Sequence, residues 1–457
     1  MEKRQIVTYD QAVEYIMNIP RFTTKNTMED TRGFLHRLGD PDGALRILHV
    51  AGTNGKGSVC AYMRSVLEAA GKRVAVFTSP HLVDVRERFV IDGEMIGQET
   101  FLEAFLQVYD SLDRAALAAG NGYHPTFFEY LFFMAMLVFS KEKPDYCILE
   151  TGLGGRLDAT NAVARKEIAV ITHISLDHVE YLGHTLKAIA GEKAGIMQEN
   201  VPVIYADSCP EVGDVIRERA RFLSADLYPV SDIDYRFSKN NNKNIDFSYI
   251  SRYYGSVSLS IPTIARYQME NCSLALRALE VLAQGQQASP EETSPRLSPE
   301  IIARGVNACF WPGRMEEVLP EVYLDGAHNE DGMRAFLESV AADGHAGGRH
   351  LLFAVVADKD YPSMLRRVVD SGLFDRLSIT YLENKRAAAP DELRRELAAY
   401  PQVRATQYHS VPEALRAILT HRPAHERVYI AGSLYLAGEV KAELHCGREK
   451  RGSYDQF

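Results

Sequence analysis

Apolar and polar positions along the chain fall into two alternating registers from about residue 45 onward. Runs of consecutive apolar residues, RILHVAG (46–52), KRVAVFTS (72–79), PDYCILETG (144–152), EIAVITHIS (167–175) and VPVIYAD (201–207), read as strands buried on both faces. Between them, GSVCAYMRSVLEAAGK, QETFLEAFLQVYDSL, TFFEYLFFMAMLVFS and HTLKAIAGEKAGIM carry helical spacing, the first with Gly71 at its expected C-terminal cap. Strands that alternate with helices predict βαβ units and a mostly parallel sheet covered on both faces. Residues 233–263 depart from this. Their Asn-rich turn and the alternating FSYISRYYGSVSLSI predict a small antiparallel sheet.

A helix around MENCSLALRALEVLA follows, then GQQASPEETSPRLSP (285–299), whose Pro, Ser and Gln content predicts a loop, and SPEIIARGV restarts a helix. After Trp311-Pro312-Gly313 a second alternation begins, with strands EVYLDGA, RHLLFAVVA, RLSITYLE and ERVYIAG. The fold class expected is therefore α/β: a sheet domain with an antiparallel addition over residues 1–309, and a second, smaller Rossmann-like α/β domain over 310–457. The boundary is placed near 309–313.

The candidate chemistry centres on HVAGTNGKGSVCAYM (49–63), which leaves a strand and enters a helix. In that setting successive backbone N–H groups and the positive helix end surround a phosphate. Lys56 is placed to reach the β- and γ-phosphates and Ser58 to ligate Mg²⁺. Gly57 is an insertion between them, absent from the common pattern G-x-x-x-x-G-K-[ST]. Ligands of a parallel sheet gather at the carboxyl ends of its strands. Ser79 closes VAVFTS, Glu150 closes YCILE, and His178 follows ITHIS, so all three belong at that edge. Lys193 in GEKAGI reads equally well as a helix-surface lysine. Arg314, Asp325 and His328, and Asp358-Lys359-Asp360 after LLFAVVA, mark polar loops at the edge of the second sheet. A P-loop ATP-using enzyme with Mg²⁺ and an interdomain cleft is as far as these residues lead. A guanine-nucleotide switch or transport ATPase is disfavoured, because no N-K-x-D motif follows the loop and no membrane-partner region is evident.

Composition narrows the partners. The net charge of −10 argues against a general nucleic-acid binder. Six cysteines, at 60, 147, 209, 272, 309 and 446, include no C-x-x-C pair, so neither a zinc site nor a disulfide framework is expected. The first twenty residues lack a signal peptide's apolar core and no apolar run would span a bilayer, which predicts a cytoplasmic location without membrane partners.

Eight segments in order, HVAGTNGKGS, FTSPHL with RERF, TFFE, LETGLGGRLDATN, HISLDHVEYLG, EKAGI, WPGR and LDGAHN, resemble the folylpolyglutamate synthase family, whose members often also have dihydrofolate synthase activity, within the Mur ligase superfamily. The resemblance covers nearly the whole chain and accounts for Gly57, since this superfamily's loop carries that extra glycine. It implies an ATP-dependent amide ligase that adds L-glutamate to reduced folate through an acyl phosphate. Dihydropteroate is a second substrate in bifunctional members. It further implies that Thr53, Asn54, Gly55, Lys56, Gly57 and Ser58 hold the triphosphate. Ser79 and Glu150 (with Ser58) would serve one Mg²⁺, and His178 with Glu150 a second, supported by a carbamate on Lys193. Asn271, Arg314, Asp325 and His328 would contact nucleotide; Phe127, with the rest of the TFFE segment (Thr126, Phe128, Glu129), and Asp158 would lie on the pterin side. A monomer is the family default.

Two positions depart from the family pattern: Tyr267, where many members carry histidine, and Asp84, where some dihydrofolate synthases have arginine, with Arg86 or Arg88 as substitutes. The alternatives are a Mur-type ligase acting on a UDP-sugar precursor and a non-catalytic nucleotide-binding module. The first would need an extra N-terminal domain, for which about 45 residues before the loop are too few. The second leaves Arg314 and His328 without a purpose.

Overall fold

The computed structural model describes residues 6, 8–19, 26–118, 122–240, 243–285, 296–383, 386–401 and 403–452, with 446–452 as backbone. Residues 286–295 of the loop expected at 285–299, the tip of the Asn-rich turn (241–242) and the Cys446 side chain lie outside the described residues.

The first sheet contains β1 (Ile47–Ala51), β2 (Val74–Phe77), β3 (Phe89–Ile91), β4 (Glu94–Met95), β5 (Tyr146–Glu150), β6 (Ile168–Ile171), β7 (Val203–Ala206) and β8 (Leu227–Val230). Its order is β4-β3-β2-β5-β1-β6-β7-β8. All pairings are parallel except the β2–β3–β4 edge, a short antiparallel extension that the hydrophobic pattern did not announce. Two- and three-residue strands carry too little periodicity to be read.

β1 sits between β5 and β6, so the chain leaves the sheet in both directions from its centre, and a crevice opens there at the carboxyl ends. Register fixes who meets whom: Val50 pairs with Glu150, which brings that carboxylate beside the start of the glycine-rich loop.

One face of this sheet is covered by the helix Lys56–Ala69, itself packed under the helices Gln268–Gly285 and Pro299–Ala308. The approach is close enough that a Cβ on Gly305 would fall 2.6 Å from Val66 Cα. The other face is covered by Phe127–Glu142, apolar all round and almost wholly buried among Phe34, Phe101 and Phe105.

Two helices near the N-terminus, Tyr9–Asn18 and Met28–Arg37, were not anticipated from periodicity. Both start on capping boxes legible in sequence, Thr8 with Gln11 and Thr27 with Asp30. The expected antiparallel addition is β9 (Tyr235–Asn240), β10 (Ile245–Ser251) and β11 (Gly255–Ile261). In β10, Ile245, Phe247, Tyr249 and Ser251 alternate inward against the core.

The second sheet holds β12 (Glu316–Leu319), β13 (Val322–Leu324), β14 (Arg349–Phe353), β15 (Arg376–Thr380), β16 (Ala405–Tyr408) and β17 (Arg427–Ala431) in the order β12-β13-β17-β14-β15-β16. It is parallel apart from β12. The molecule is thus a two-domain α/β protein, with the polar strand ends of both sheets facing a shared cleft. No helix among the described residues is long and apolar enough to cross a membrane.

Candidate active site

The cleft has a volume of about 1120 Å³ and is lined from both sheets. On the first side stand Gly52 to Ser58, Ser79, Glu150, the loop Gly152–Gly154, Asp177, His178 and Lys193, with Asn271 from the helix above. On the second stand Arg314, Asp325, His328 and Lys359.

The glycine-rich loop is shaped by contacts that leave no room for side chains. Gly55 caps the helix Lys56–Ala69 with φ +90°, and a Cβ there would lie 2.2 Å from Asn271 Oδ1. Thr53 and Asn54 donate their backbone N–H groups to the His173 carbonyl at 2.9 and 3.3 Å, tying the loop to the end of β6. Ser58 Oγ accepts from Gln268 Nε2 at 3.1 Å, and Asn271 Nδ2 donates to Gln268 Oε1 at 3.2 Å.

Glu150 is 3 % exposed and accepts from the Ser79 backbone N–H at 3.0 Å. Burial raises its pKa, against the opposing pull of Lys56, Ser79 N–H, Arg314 and Arg88. The helix Leu186–Ala194 carries Lys193 inward rather than to the surface. It is 3 % exposed, with Nζ 2.7 Å from the Gly52 carbonyl. Lys56 Nζ reaches that same carbonyl at 3.1 Å. Burial, reinforced by Lys56, brings the Lys193 pKa down to about 7.

The second domain meets the first around Asp177. Lys359 Nζ lies 2.5 Å from Asp177 Oδ1, and Asn329 Nδ2 donates to Oδ2 at 2.9 Å. His328 Nε2 stands 3.9 Å from the same carboxylate and His178 Nε2 4.0 Å. Despite burial, the two imidazoles in their protonated forms and Lys359, which also donates a hydrogen bond, hold the Asp177 carboxyl far below the usual carboxylate range; at neutral pH Lys359 is the standing cation. Both imidazoles are pushed down to about 4, His178 by burial and His328 by burial and Lys359, so both are neutral near pH 7. His328 Nδ1 lies 2.8 Å from the Gly326 carbonyl. With Nδ1 as donor, Nε2 is left as the acceptor. Asn54 adds a further bridge, donating to Asp331 Oδ2 at 2.9 Å.

Asp325, 3 % exposed, accepts from Tyr267 Oη at 2.6 Å and from the Met315 and Ala327 N–H groups at 2.9 and 2.8 Å. Tyr267, the first departure from the family pattern, thereby braces the loop that carries His328. Arg314 donates to the Gly313 carbonyl at 2.9 Å and passes where a Cβ on Gly326 would stand 2.2 Å away.

Three expected substrate contacts lie outside the cleft lining. Asp158 is fully engaged, its Oδ2 accepting from Gly152 and Leu153 N–H at 2.9 Å each and its Oδ1 from Thr160 N at 3.0 Å and Thr160 Oγ1 at 2.5 Å. It shapes the cleft-lining loop from behind. Phe127 is 6 % exposed in the aromatic core beneath Arg88. Arg86 grips Asp84, with Nη2 2.7 Å from Oδ2 and Nε 3.1 Å from Oδ1, and lies over the Tyr9 ring. The second departure, Asp84, therefore occupies Arg86, one of the two arginines named as its substitutes; Arg88 instead donates to His81 Nδ1 at 2.8 Å.

Sequence reasoning did not single out Asp177, Asn329, Asp331 or Gln268. Asp177 and Asn329 lie inside quoted motifs, next to the histidines that drew attention. Asp331 and Gln268 carry no local signal, because their significance comes from the opposite domain or the neighbouring helix.

Among families, the Mur ligase middle domain matches residues 50–279 and the Mur ligase glutamate ligase domain residues 313–434. A dihydrofolate synthase/folylpolyglutamate synthase of Bacillus subtilis is 32 % identical over 443 residues, 95 % of this chain and 99 % of that protein. The structure of Escherichia coli FolC in complex with DHPP and ADP superposes with a TM-score of 0.81 at 27 % identity, over 97 % of this chain and 99 % of that one. A folylpolyglutamate synthase–AMPPCP–folate complex superposes with a TM-score of 0.82 at 29 % identity, over 96 % and 100 %. With both Mur ligase domains in order along one chain and end-to-end likeness to these enzymes, the protein belongs to the folylpolyglutamate synthase/dihydrofolate synthase family and is an ATP-dependent ligase.

Proposed function

We infer that the protein joins the amino group of L-glutamate to a carboxylate of reduced folate, using ATP to activate that carboxylate. The observation that carries this reading is the convergence of a phosphate-binding loop, a buried carboxylate and two lysines from one domain with Arg314 and His328 from the other across a single cleft. The relatives' complexes with an ATP analogue and folate, and with ADP and DHPP, supply the substrate classes.

A carboxylate is a poor electrophile. Transfer of the γ-phosphoryl group from ATP to one of its oxygens gives an acyl phosphate and ADP. The glutamate amine attacks the acyl carbon, a proton leaves the nitrogen, and the tetrahedral adduct expels phosphate. Every participant is anionic, so the protein's work is positioning and charge neutralisation. Thr53 to Ser58 would hold the triphosphate, with the N–H groups of Gly55 to Ser58 as donors, since those of Thr53 and Asn54 are taken by the His173 carbonyl, and Lys56 on the terminal phosphates. Asn271, Arg314 and Asp325 would fix the nucleotide, and His328 the transferring group.

The donors Ser58, Ser79, Glu150 and His178 fit Mg²⁺ only in part. Among the described residues no cluster of three His, Cys, Asp or Glu side chains is poised as a cage. That suits a hard cation bound by one carboxylate, hydroxyls and substrate phosphates. When bound at its one or two positions, Mg²⁺ would neutralise phosphate charge.

Lys193 and Lys56 crowd one carbonyl, which disfavours two ammonium groups side by side. Addition of CO₂ to the neutral Lys193 amine, with loss of a proton, would replace that repulsion with an attraction and supply an anionic oxygen facing the cleft.

The test is ADP release by the purified protein with Mg-ATP and L-glutamate, comparing tetrahydrofolate with dihydropteroate. Glutamate-dependent release with tetrahydrofolate is expected. Activity with dihydropteroate as well would make the enzyme bifunctional despite Asp84. Nucleotide binding without glutamate-dependent release on either substrate would overturn the reading.

A further inference from the structure

The inserted glycine of the phosphate loop has a physical reason in the fold. Gly57 lies in the first turn of the helix Lys56–Ala69, and a Cβ built on it would stand 2.7 Å from Trp311 Cζ2, 3.0 Å from Cε2 and 3.1 Å from Nε1. The indole therefore lies flush on the backbone between Lys56 and Ser58, half-buried at the edge of the core that the helix Lys56–Ala69 shares with the first sheet. Trp311 is the chain's single tryptophan. It stands in the connection between the helix Pro299–Ala308 and β12 of the second sheet. Upstream, that helix is pinned to the same nucleotide-loop helix at Gly305 and Val66. Downstream the backbone turns sharply: Gly313 and Met315 have φ +68° and +48°, and Arg314 reaches into the cleft from between them. The Gly313 carbonyl accepts from Gly326 N at 2.8 Å and from Arg314 Nη1 at 2.9 Å, which couples this turn to the loop bearing His328.

We propose that Trp311 is a positioning residue: seated on Gly57, its indole sets the register of Arg314, and through Gly326 of His328, against the phosphate loop. Only Pro312 and Gly313 separate Trp311 from Arg314, so a shift of the ring is transmitted to Arg314 with little slack. Gly57 is the receiving half of this joint, because any side chain there would lift the ring off the loop. The proposal rests on the ligase reading above for its activity readout. Its spectroscopic readout stands without it.

The test uses the full-length protein with Trp311→Phe, Trp311→Ala and Gly57→Ala, measuring ATP-analogue affinity by calorimetry, steady-state kinetics and, for wild type and Gly57→Ala, tryptophan emission. Trp311→Ala is expected to keep most of its affinity for the analogue while kcat falls by about 10²-fold, the scale of a 1 Å misplacement. Trp311→Phe, which retains a flat ring, should recover most of kcat. In Gly57→Ala the emission should shift to the red and become more open to acrylamide quenching as the indole leaves its seat. The proposal is overturned by wild-type kcat in Trp311→Ala, by Trp311→Phe failing as badly as Trp311→Ala, or by unchanged emission in Gly57→Ala. A wild-type protein without glutamate-dependent turnover would sink the ligase reading alone, leaving the emission of Gly57→Ala to decide this one.

Discussion

Lys193 shows how far a residue's chemistry can depart from its local sequence. In GEKAGI it reads as a solvated lysine, yet the fold buries it beside Lys56 on the carbonyl of Gly52. A pKa near 7 means that the folded protein holds the amine half neutral at neutral pH. Below that pH it takes up a proton and no longer adds CO₂. Bicarbonate-stimulated turnover should therefore fall as the pH drops through about 7. Lys193→Ala should lower kcat by at least about 10²-fold, the cost of losing a charge-positioning group, with partial rescue by formate or acetate. Absence of both the bicarbonate effect and the rescue would leave the carbamate without support. Asp158 teaches the reverse. Its motif suggested a ligand contact, whereas its four acceptor bonds are all spent on the chain itself.

At the level of the element, the loop Gly152–Gly154 owes its course to that buried carboxylate. Removing the carboxylate takes the acceptor from the buried Thr160 N–H and from the part-buried Gly152 and Leu153 N–H groups. Leaving a buried donor unsatisfied costs about 1–3 kcal/mol, so Asp158→Ala should destabilise the protein by about 2 kcal/mol in urea unfolding, chiefly through Thr160. Unchanged stability combined with a raised KM for folate would return Asp158 to direct substrate contact. Most long elements were legible from periodicity, since a buried parallel strand needs an unbroken apolar run and an amphipathic helix needs its spacing. Phe127–Glu142 is a partial exception: its apolar residues cover every face, so its sequence reveals the helix but not which side faces the sheet. The β3–β4 edge and the two N-terminal helices escaped because they are short or are marked only by their caps.

At the scale of the molecule, the domains meet through polar contacts around Asp177 as well as through apolar packing, with Ile264 and Ala265 buried in the second domain's core. The Lys359–Asp177 pair is the tightest of the polar contacts, with both side chains under 10 % exposed. Removing one partner of a buried ion pair leaves the other uncompensated and costs about 3–5 kcal/mol where geometry is good. Asp177→Asn should therefore loosen the approach of the second domain. A larger radius of gyration in X-ray scattering and a lowered kcat are expected, with the ATP-analogue affinity of the phosphate loop largely kept. Identical scattering and turnover would remove Asp177 from any part in holding the domains together.

Local pattern along the chain is enough to dictate the kind of protein this is. Uninterrupted apolar runs between amphipathic stretches dictate two α/β sheets, and the glycines around Lys56 dictate a phosphate loop, because both depend on patterns within a few residues of one another. Which polar residues share the cleft depends instead on how the chain folds back on itself. Asp177 meets Lys359, Lys193 meets Gly52, and Trp311 meets Gly57 across separations along the chain that no local pattern encodes. Sheet register and domain packing bring such partners together, and burial then alters their charge states. The same residues therefore mean something different once they are folded.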